Sequence, residues 1–301
     1  MKKTVPHIIQ YQGSKRKLAP RILQYMPEKF NRLVEPFAGM AAVTLAVAQG
    51  KDVQQFWIND INEPIVSIIE NAVANPEKLA DEYEAVWKNQ FSAEDTTEHY
   101  YRIREEFNSG DYSAANMLYL LARCVKGAVR YSSTGQFNQS PDKRRHGTKP
   151  ETVRKNLLAV SSLLKDKVVF SHMDYKEVFA KAQPGDIYYM DPPYQGTSNV
   201  RDNRYLSGVA VEEFADALHI LNQKGIDFLI SYDGACGHKV YGEDLPKELE
   251  CCKLLLNAGR STQATLLGRK DFTYEALYVS KGLQKYIDDI DTEYVNMERM
   301  A

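Results

Sequence analysis

The sequence predicts an α/β protein, a sheet flanked by helices on both faces with a mostly helical segment inserted into it. Three observations carry this. Strand-like and helix-like runs alternate between residues 32 and 74, the texture turns charged, aromatic and helical from about 75 to 156, and the alternation resumes from 168 onward. Such alternation builds a parallel sheet, because strands joined through helices run the same way and the helices cover both faces.

The elements follow in order. Arg32-Leu33-Val34-Glu35 is a short apolar-rich strand, and a small-residue turn, Phe37-Ala38-Gly39-Met40-Ala41, follows it. Ala42 to Gln49 reads as helix with Gly50 as its stop. Val53 to Ile58 is a second strand ending at Asn59-Asp60, and Ile65 to Ala74 a second helix. Pro76 to Arg123 has helical spacing and little strand signal. Alternation around Ser132-Ser133-Thr134-Gly135 predicts a hairpin, and a basic cluster follows at Lys143, Arg144, Arg145, His146 and Lys149. Val168 to Ser171, Ile187 to Met190, Phe228 to Tyr232 and Ala276 to Ser280 are further strands, and Val211 to Gln223 is an amphipathic helix stopped near Gly225. Trp57 and Phe56 read as core residues, and Arg260, Arg269 and Lys270 carry no individual assignment.

Bulk composition narrows the classes. With 301 residues and 44% hydrophobic content the chain can bury a large core. No apolar run approaches the roughly 20 residues that span a bilayer, and the basic N-terminus lacks the apolar stretch of a signal peptide. Cys124, Cys236, Cys251 and Cys252 form no CxxC pair and have no paired His spacing. They read as reduced thiols of a cytosolic protein, and no metal site is expected. The net charge of -2 means that any grip on a polyanion must come from local basic clusters.

Two constellations carry chemistry. Small residues in the Glu35 to Ala41 turn let a ligand approach backbone, and Asp60 ends the next strand where it can accept hydrogen bonds from two ribose hydroxyls. Taken alone, this pair equally suits tight helix–strand packing. Asp191-Pro192-Pro193-Tyr194 is more specific, because it ends the apolar run Ile187 to Met190. Two prolines fix the backbone and remove two N–H donors. The flanking carbonyls and the Asp191 carboxylate are then acceptors for a ligand amine, and Tyr194 offers a ring to stack on a base. Those parts suit an adenine N6 amine, whose lone pair is delocalised until acceptors on its hydrogens favour a pyramidal nitrogen.

With these motifs the chain resembles the Dam-type (D12) class of DNA adenine-N6 methyltransferases. Tyr11-Gln12-Gly13-Ser14-Lys15 resembles the family's N-terminal motif, whose aromatic residue and lysine contact the cofactor. Glu35-Pro36-Phe37-Ala38-Gly39 is similar to its cofactor-binding motif, Asp60-Ile61-Asn62 to its acidic ribose-binding position, and His172-Met173-Asp174-Tyr175 to the segment that holds the cofactor's adenine. Asp191 to Tyr194 matches its catalytic motif in full. Two departures stand out: Ala41 replaces the last glycine of Phe-x-Gly-x-Gly, and Tyr11 replaces a tryptophan.

The resemblance implies a Rossmann-like class I methyltransferase sheet. Residues 1–74 would form its cofactor-binding half, 75–156 a target-recognition insertion with a β-hairpin, and 157–301 the catalytic half. It implies S-adenosyl-L-methionine as cofactor, with S-adenosyl-L-homocysteine as product. Duplex DNA is the implied partner, contacted by Arg130, Ser132, Gln136 and Asn138 of the hairpin and by Lys143, Arg144 and Arg145. It further implies a monomer in a bacterial or phage cytoplasm, off the membrane, with a separately encoded restriction endonuclease as a possible companion. The reaction is base flipping and direct in-line transfer, without metal or covalent enzyme intermediate. Cytosine-N4 methylation, methylation of RNA or protein, and a non-catalytic DNA-binding regulator are the alternatives at this point. Asp191 disfavours the first, the hairpin the second, and the intact Lys15, Asp60 and Asp191 the third.

Overall fold

The computed structural model describes residues 4–193, 211–236, 239–240, 244–260 and 272–287. After a short helix, α1 (Ala19–Ile22), the chain forms β1 (Lys29–Glu35), α2 (Ala42–Gly50), β2 (Asp52–Asn59) and α3 (Glu63–Ala74). The inserted segment contributes α4 (Pro76–Asn89), α5 (Thr96–Asn108) and α6 (Ala114–Arg123), then an extended arm and α7 (Pro150–Leu164). There follow β3 (Val168–Ser171), α8 (Tyr175–Ala180), β4 (Asp186–Met190), α9 (Val211–Gln223), β5 (Asp227–Cys236), β6 (Lys239–Val240), β7 (Cys252–Arg260) and β8 (Phe272–Val279).

The strands form a sheet in the order β3-β2-β1-β4-β5-β8-β7, with β6 paired to β5. β3, β2, β1, β4 and β5 are parallel, whereas β8 runs antiparallel between β5 and β7. This is a Rossmann-like sheet with a mixed edge. The order reverses between β1 and β4, so a crevice opens outside their carboxyl ends, where open α/β sheets bind ligands.

Burial explains the central strands. Every residue of β4 is buried, and on β1 Leu33 and Val34 point into opposite cores. Leu33, Ile187, Tyr189, Leu229 and Leu277 face a core that also takes Leu118, Tyr119, Phe137 and Leu157 from the insertion. Val34, Tyr188, Met190 and Ile230 face a second core with Phe179, Phe214 and Leu218. The inserted helices thus share one core with the sheet, and α7 runs unbroken through residue 156. At the opposite end of the strands, Arg32 donates to both oxygens of the buried Asp186 at 2.9 and 2.7 Å, a bidentate pair that joins β1 to β4.

Two features differ from the sequence reading. The strand β7 was not foreseen, because its Leu254-Leu255-Leu256 run shows no period of two. Tertiary packing splits the run, sending Leu254 and Leu256 to one core and Leu255 to the other. The antiparallel β8 was read only in its last turn of residues, since alternation of strands and helices predicts parallel neighbours alone.

Candidate active site

A cavity of about 490 Å³ lies in the crevice at the carboxyl ends of β1 and β4. Its walls come from seven stretches of the sequence, five of which carry the expected residues. Tyr11, Gly13 and Lys15 belong to the N-terminal segment, Glu35 to Gly39 to the turn after β1, and Asp60 and Ile61 to the turn after β2. Asp174 and Tyr175 start α8, and Asp191, Pro192 and Pro193 follow β4. The structure therefore brings every expected cofactor residue to one cavity with the first three catalytic residues. Tyr194 lies outside the described residues, as do Arg269 and Lys270.

The turn after β1 is held from three directions. Gly39 donates its backbone N–H to Asp60 Oδ2 at 2.8 Å, and Asn62 donates its N–H to Oδ1 at 3.0 Å. Asp60 thus braces the turn, and its oxygens keep further lone pairs toward the cavity. Burial pushes the Asp60 carboxyl above the usual range. Beneath the turn, the buried Glu35 carboxyl accepts from the Thr44 N–H at 3.1 Å and from the Thr44 hydroxyl at 2.5 Å, which ties it to the first turn of α2. Desolvation raises its pKa to about 8, with Asp191 and Asp60 adding like-charge repulsion. The third brace is Asn59, fully buried at the end of β2. Its Nδ2 donates to Pro36 O and Met173 O, both at 2.9 Å, while its Oδ1 accepts from Ser171 Oγ at 2.6 Å and Met173 N at 3.0 Å. One amide so clamps the loops after β1 and β3.

Ala41 sits at the N-cap of α2 with φ 52° and ψ 40°, a left-handed conformation. This gives the physical reason for the glycine that the resemblance expects there: a Cβ in that conformation costs roughly 1–2 kcal/mol. The methyl is fully buried, so the fold accommodates it without closing the cavity.

On the opposite wall, Phe37 and Tyr175 stand with ring centroids 5.2 Å apart. The Tyr175 hydroxyl is buried without a hydrogen-bond partner among the described residues. Asp174 caps α8 by accepting from Lys176 N at 2.9 Å.

Asp191 occupies the far end, where Lys15 Nζ donates to its Oδ2 at 2.8 Å. The same ammonium lies 3.4 Å from Gly13 O and 3.5 Å from Glu275 Oε2, and Lys15 is only 8% exposed. Burial raises the Asp191 pKa to about 6, Lys15 works against this, and Glu275 adds to it. Lys15 therefore binds the N-terminal segment to the catalytic strand through a buried ion pair.

Comparison with known proteins gives the family. The family model of the D12 class N6 adenine-specific DNA methyltransferases matches residues 11–256, from Tyr11 through the Asp191 motif into β7. The chain belongs to this family. Among its relatives, the type II methyltransferase M1.LlaDCHI of Lactococcus lactis subsp. cremoris is 31% identical over 62% of this chain. The aligned part spans 64% of that enzyme, a little under two thirds. The retron Ec67 DNA adenine methylase of Escherichia coli is 26% identical over 77% of this chain and 75% of its own length. The DNA adenine methylase of Haemophilus influenzae is 28% identical over 74% and 78%. The family description and the names of the latter two relatives specify adenine.

In this D12 member the hairpin forms as expected, with Tyr131 and Phe137 bridged as antiparallel partners. Ser132 N donates to Gln136 O at 2.8 Å and Asn138 N to Arg130 O at 2.9 Å. Tyr131 and Phe137 are buried, whereas Arg130, Gln136 and Asn138 are exposed. Ser132 is turned inward on the loop: its hydroxyl accepts from Gln136 N and pairs with Thr134. Its expected contact with DNA thus competes with a structural one. Lys143, Arg144 and Arg145 project from an arm whose backbone is held by buried polar groups. The fully buried Arg123 donates to Asp142 O, and Tyr83 donates to Thr148 O at 2.6 Å. Arg145 is partly engaged by Asp142 at 3.8 Å.

Sequence reasoning missed the ties between hairpin and cavity. Tyr131 donates its hydroxyl to Asn62 Oδ1 at 3.0 Å, and Gln12 N donates to Gly127 O at 3.0 Å. Gly127 has φ +60°, and a Cβ there would meet Gln10 O at 2.1 Å. Asn59, Asn62, Met173 and Glu275 also went unnoticed as site residues. Asn59 and Asn62 flank Asp60, so their neighbourhood was a signal; for Glu275, inside a strand, there was none.

Proposed function

We propose that the chain transfers a methyl group from S-adenosyl-L-methionine to the N6 amine of adenine in duplex DNA, acting as a monomer. The observation that carries this reading is the shared cavity: the acceptor Asp191 and the nucleoside-type pocket around Asp60 open onto the same space.

The pocket's chemistry fits the cofactor. Asp60 offers acceptor lone pairs to ribose hydroxyls, and Phe37, Ile61 and Tyr175 offer apolar surface to an adenine. Asp174, Gly13 and Lys15 complete the enclosure. When bound, the cofactor supplies an electrophilic methyl on a sulfonium.

The chain's own residues prepare the amine. Asp191 accepts one N–H, which withdraws the nitrogen from conjugation with the ring and aims its lone pair. Pro192 and Pro193, lacking N–H groups, hold the backbone carbonyls of the motif as acceptors rather than donors. A flipped adenine needs its stacking replaced, and Tyr194 is the ring the motif offers, worth roughly 1–3 kcal/mol. Arg130, Gln136 and Asn138 are placed to read or position the duplex, and Lys143, Arg144 and Arg145 to meet phosphates. The likeness to type II methyltransferases makes a cognate endonuclease the companion to look for.

The test is methylation of duplex DNA by wild type and Asp191→Ala, with nucleosides identified by mass spectrometry. N6-methyladenine from wild type and its loss in the variant, with cofactor binding retained by calorimetry, is the expected result. Near-normal transfer by Asp191→Ala would refute the mechanism, and N4-methylcytosine would refute the substrate.

A further inference from the structure

We propose that Glu275 is a positioning residue for methyl transfer, the second carboxylate that keeps the Lys15 ammonium seated when Asp191 turns to the target amine. The inference rests on the reading of Asp191 as the amine's acceptor.

The Lys15 ammonium has three donors, and its acceptors among the described residues include Asp191 Oδ2 at 2.8 Å, Gly13 O at 3.4 Å and Glu275 Oε2 at 3.5 Å. An ammonium this buried cannot stay charged without a partner. Once the Asp191 carboxylate rotates toward an incoming N–H, its hold on Lys15 weakens. Glu275 Oε2 then supplies a further acceptor, and the ammonium stays where it can keep Asp191 ionised and oriented.

The sheet builds this arrangement. Glu275 lies on the same face of β8 as Leu277 and Val279, which share a core with Leu33 of β1 and Tyr189 of β4. Glu35 and Asp191 each lie two residues beyond those anchors, so the three carboxyls belong to one face at one end of the strands. Glu275 pairs in register with Gly234 of β5, beside a bulge between Tyr232 and Gly234. A Cβ at Gly234 would meet Tyr274 O at 2.0 Å, so only glycine lets β8 lie this close. The extra residue of that bulge lies on β5, and the unbulged β8 carries Glu275 opposite Gly234.

The experiment compares Glu275→Leu, which removes the acceptor, with Glu275→Gln, which keeps an acceptor oxygen without the charge. Expected for Glu275→Leu is a loss of at least about tenfold in kcat, with KM for DNA and cofactor Kd within about threefold. Glu275→Gln should retain kcat within about threefold of wild type. A smaller kcat loss in the leucine variant, a glutamine variant outside that range, or a loss carried by KM or cofactor affinity overturns the inference. Glu275→Ala replaces the leucine variant if melting curves show that the latter does not fold. Asp191→Asn runs alongside: if it stays active, the reading of Asp191 fails, whereas an inactive Asp191→Asn beside a fully active Glu275→Leu sinks only the role of Glu275.

Discussion

Replacing Lys15 by methionine should move the acid limb of the reaction, because the ammonium is what holds Asp191 ionised near neutral pH. The carboxylate must be deprotonated to accept the amine's N–H, and in wild type its pKa stands at about 6. The ion pair at 2.8 Å opposes the larger effect of burial. Losing a close opposite charge raises a carboxylate pKa by roughly 1–3 units. The variant's Asp191 should therefore titrate near roughly pH 7 to 9. At about pH 7 the ionised fraction would fall from about nine-tenths to between about a half and one-hundredth. The assay is kcat/KM for duplex DNA over about pH 5.5 to 9.5 at saturating cofactor, since this parameter reports free-enzyme pKa values. The expected profile is an acid limb displaced upward by at least about one unit, with activity recovering at high pH. A uniform loss with an unmoved acid limb would show that Lys15 acts on the cofactor alone and would refute the argument.

Three further outcomes follow from the geometry. The pKa of Glu35 is raised from 4.5 to about 8 in the fold, so its contribution to stability is present below about pH 4.5 and lost as pH rises through about 8. Denaturant titrations of the cofactor-free protein should show wild type losing stability relative to Glu35→Gln across that window, by an amount on the order of a few kcal/mol, and parallel curves would contradict this. Ala41→Gly should be nearly neutral, because roughly 1–2 kcal/mol of relieved left-handed strain is offset by glycine's unfolded-state entropy and a lost buried methyl. Ala41→Val, by contrast, should lower the melting temperature by several degrees, as a branched side chain fits neither the conformation nor the fully buried site. Gly127→Ala should weaken cofactor binding by about tenfold or more in calorimetry, since its Cβ would displace the Gln10 carbonyl and with it the Tyr11 segment.

The catalytic motif was legible because its chemistry is local. Asp191, Pro192 and Pro193 stand at the end of an apolar strand that any reading of periodicity finds, and the expected cofactor residues from Tyr11 to Asp174 stand in short motifs. The hairpin was legible for the same reason, since Gly135 and its neighbours specify a turn. Ser132, expected at the DNA, also bonds within the turn through its hydroxyl, a local pairing that composition does not reveal.

By itself the sequence determined the parallel half of the sheet and the motifs at its strand ends, both consequences of short-range pattern. Tertiary structure alone decided the antiparallel edge formed by β7 and β8, the shared core of insertion and sheet, and the company that Lys15 keeps. The physical reason is separation along the chain: Lys15, Asp191 and Glu275 meet only after the strands are ordered and bulged. A buried charge is defined by such neighbours, which no window of sequence contains.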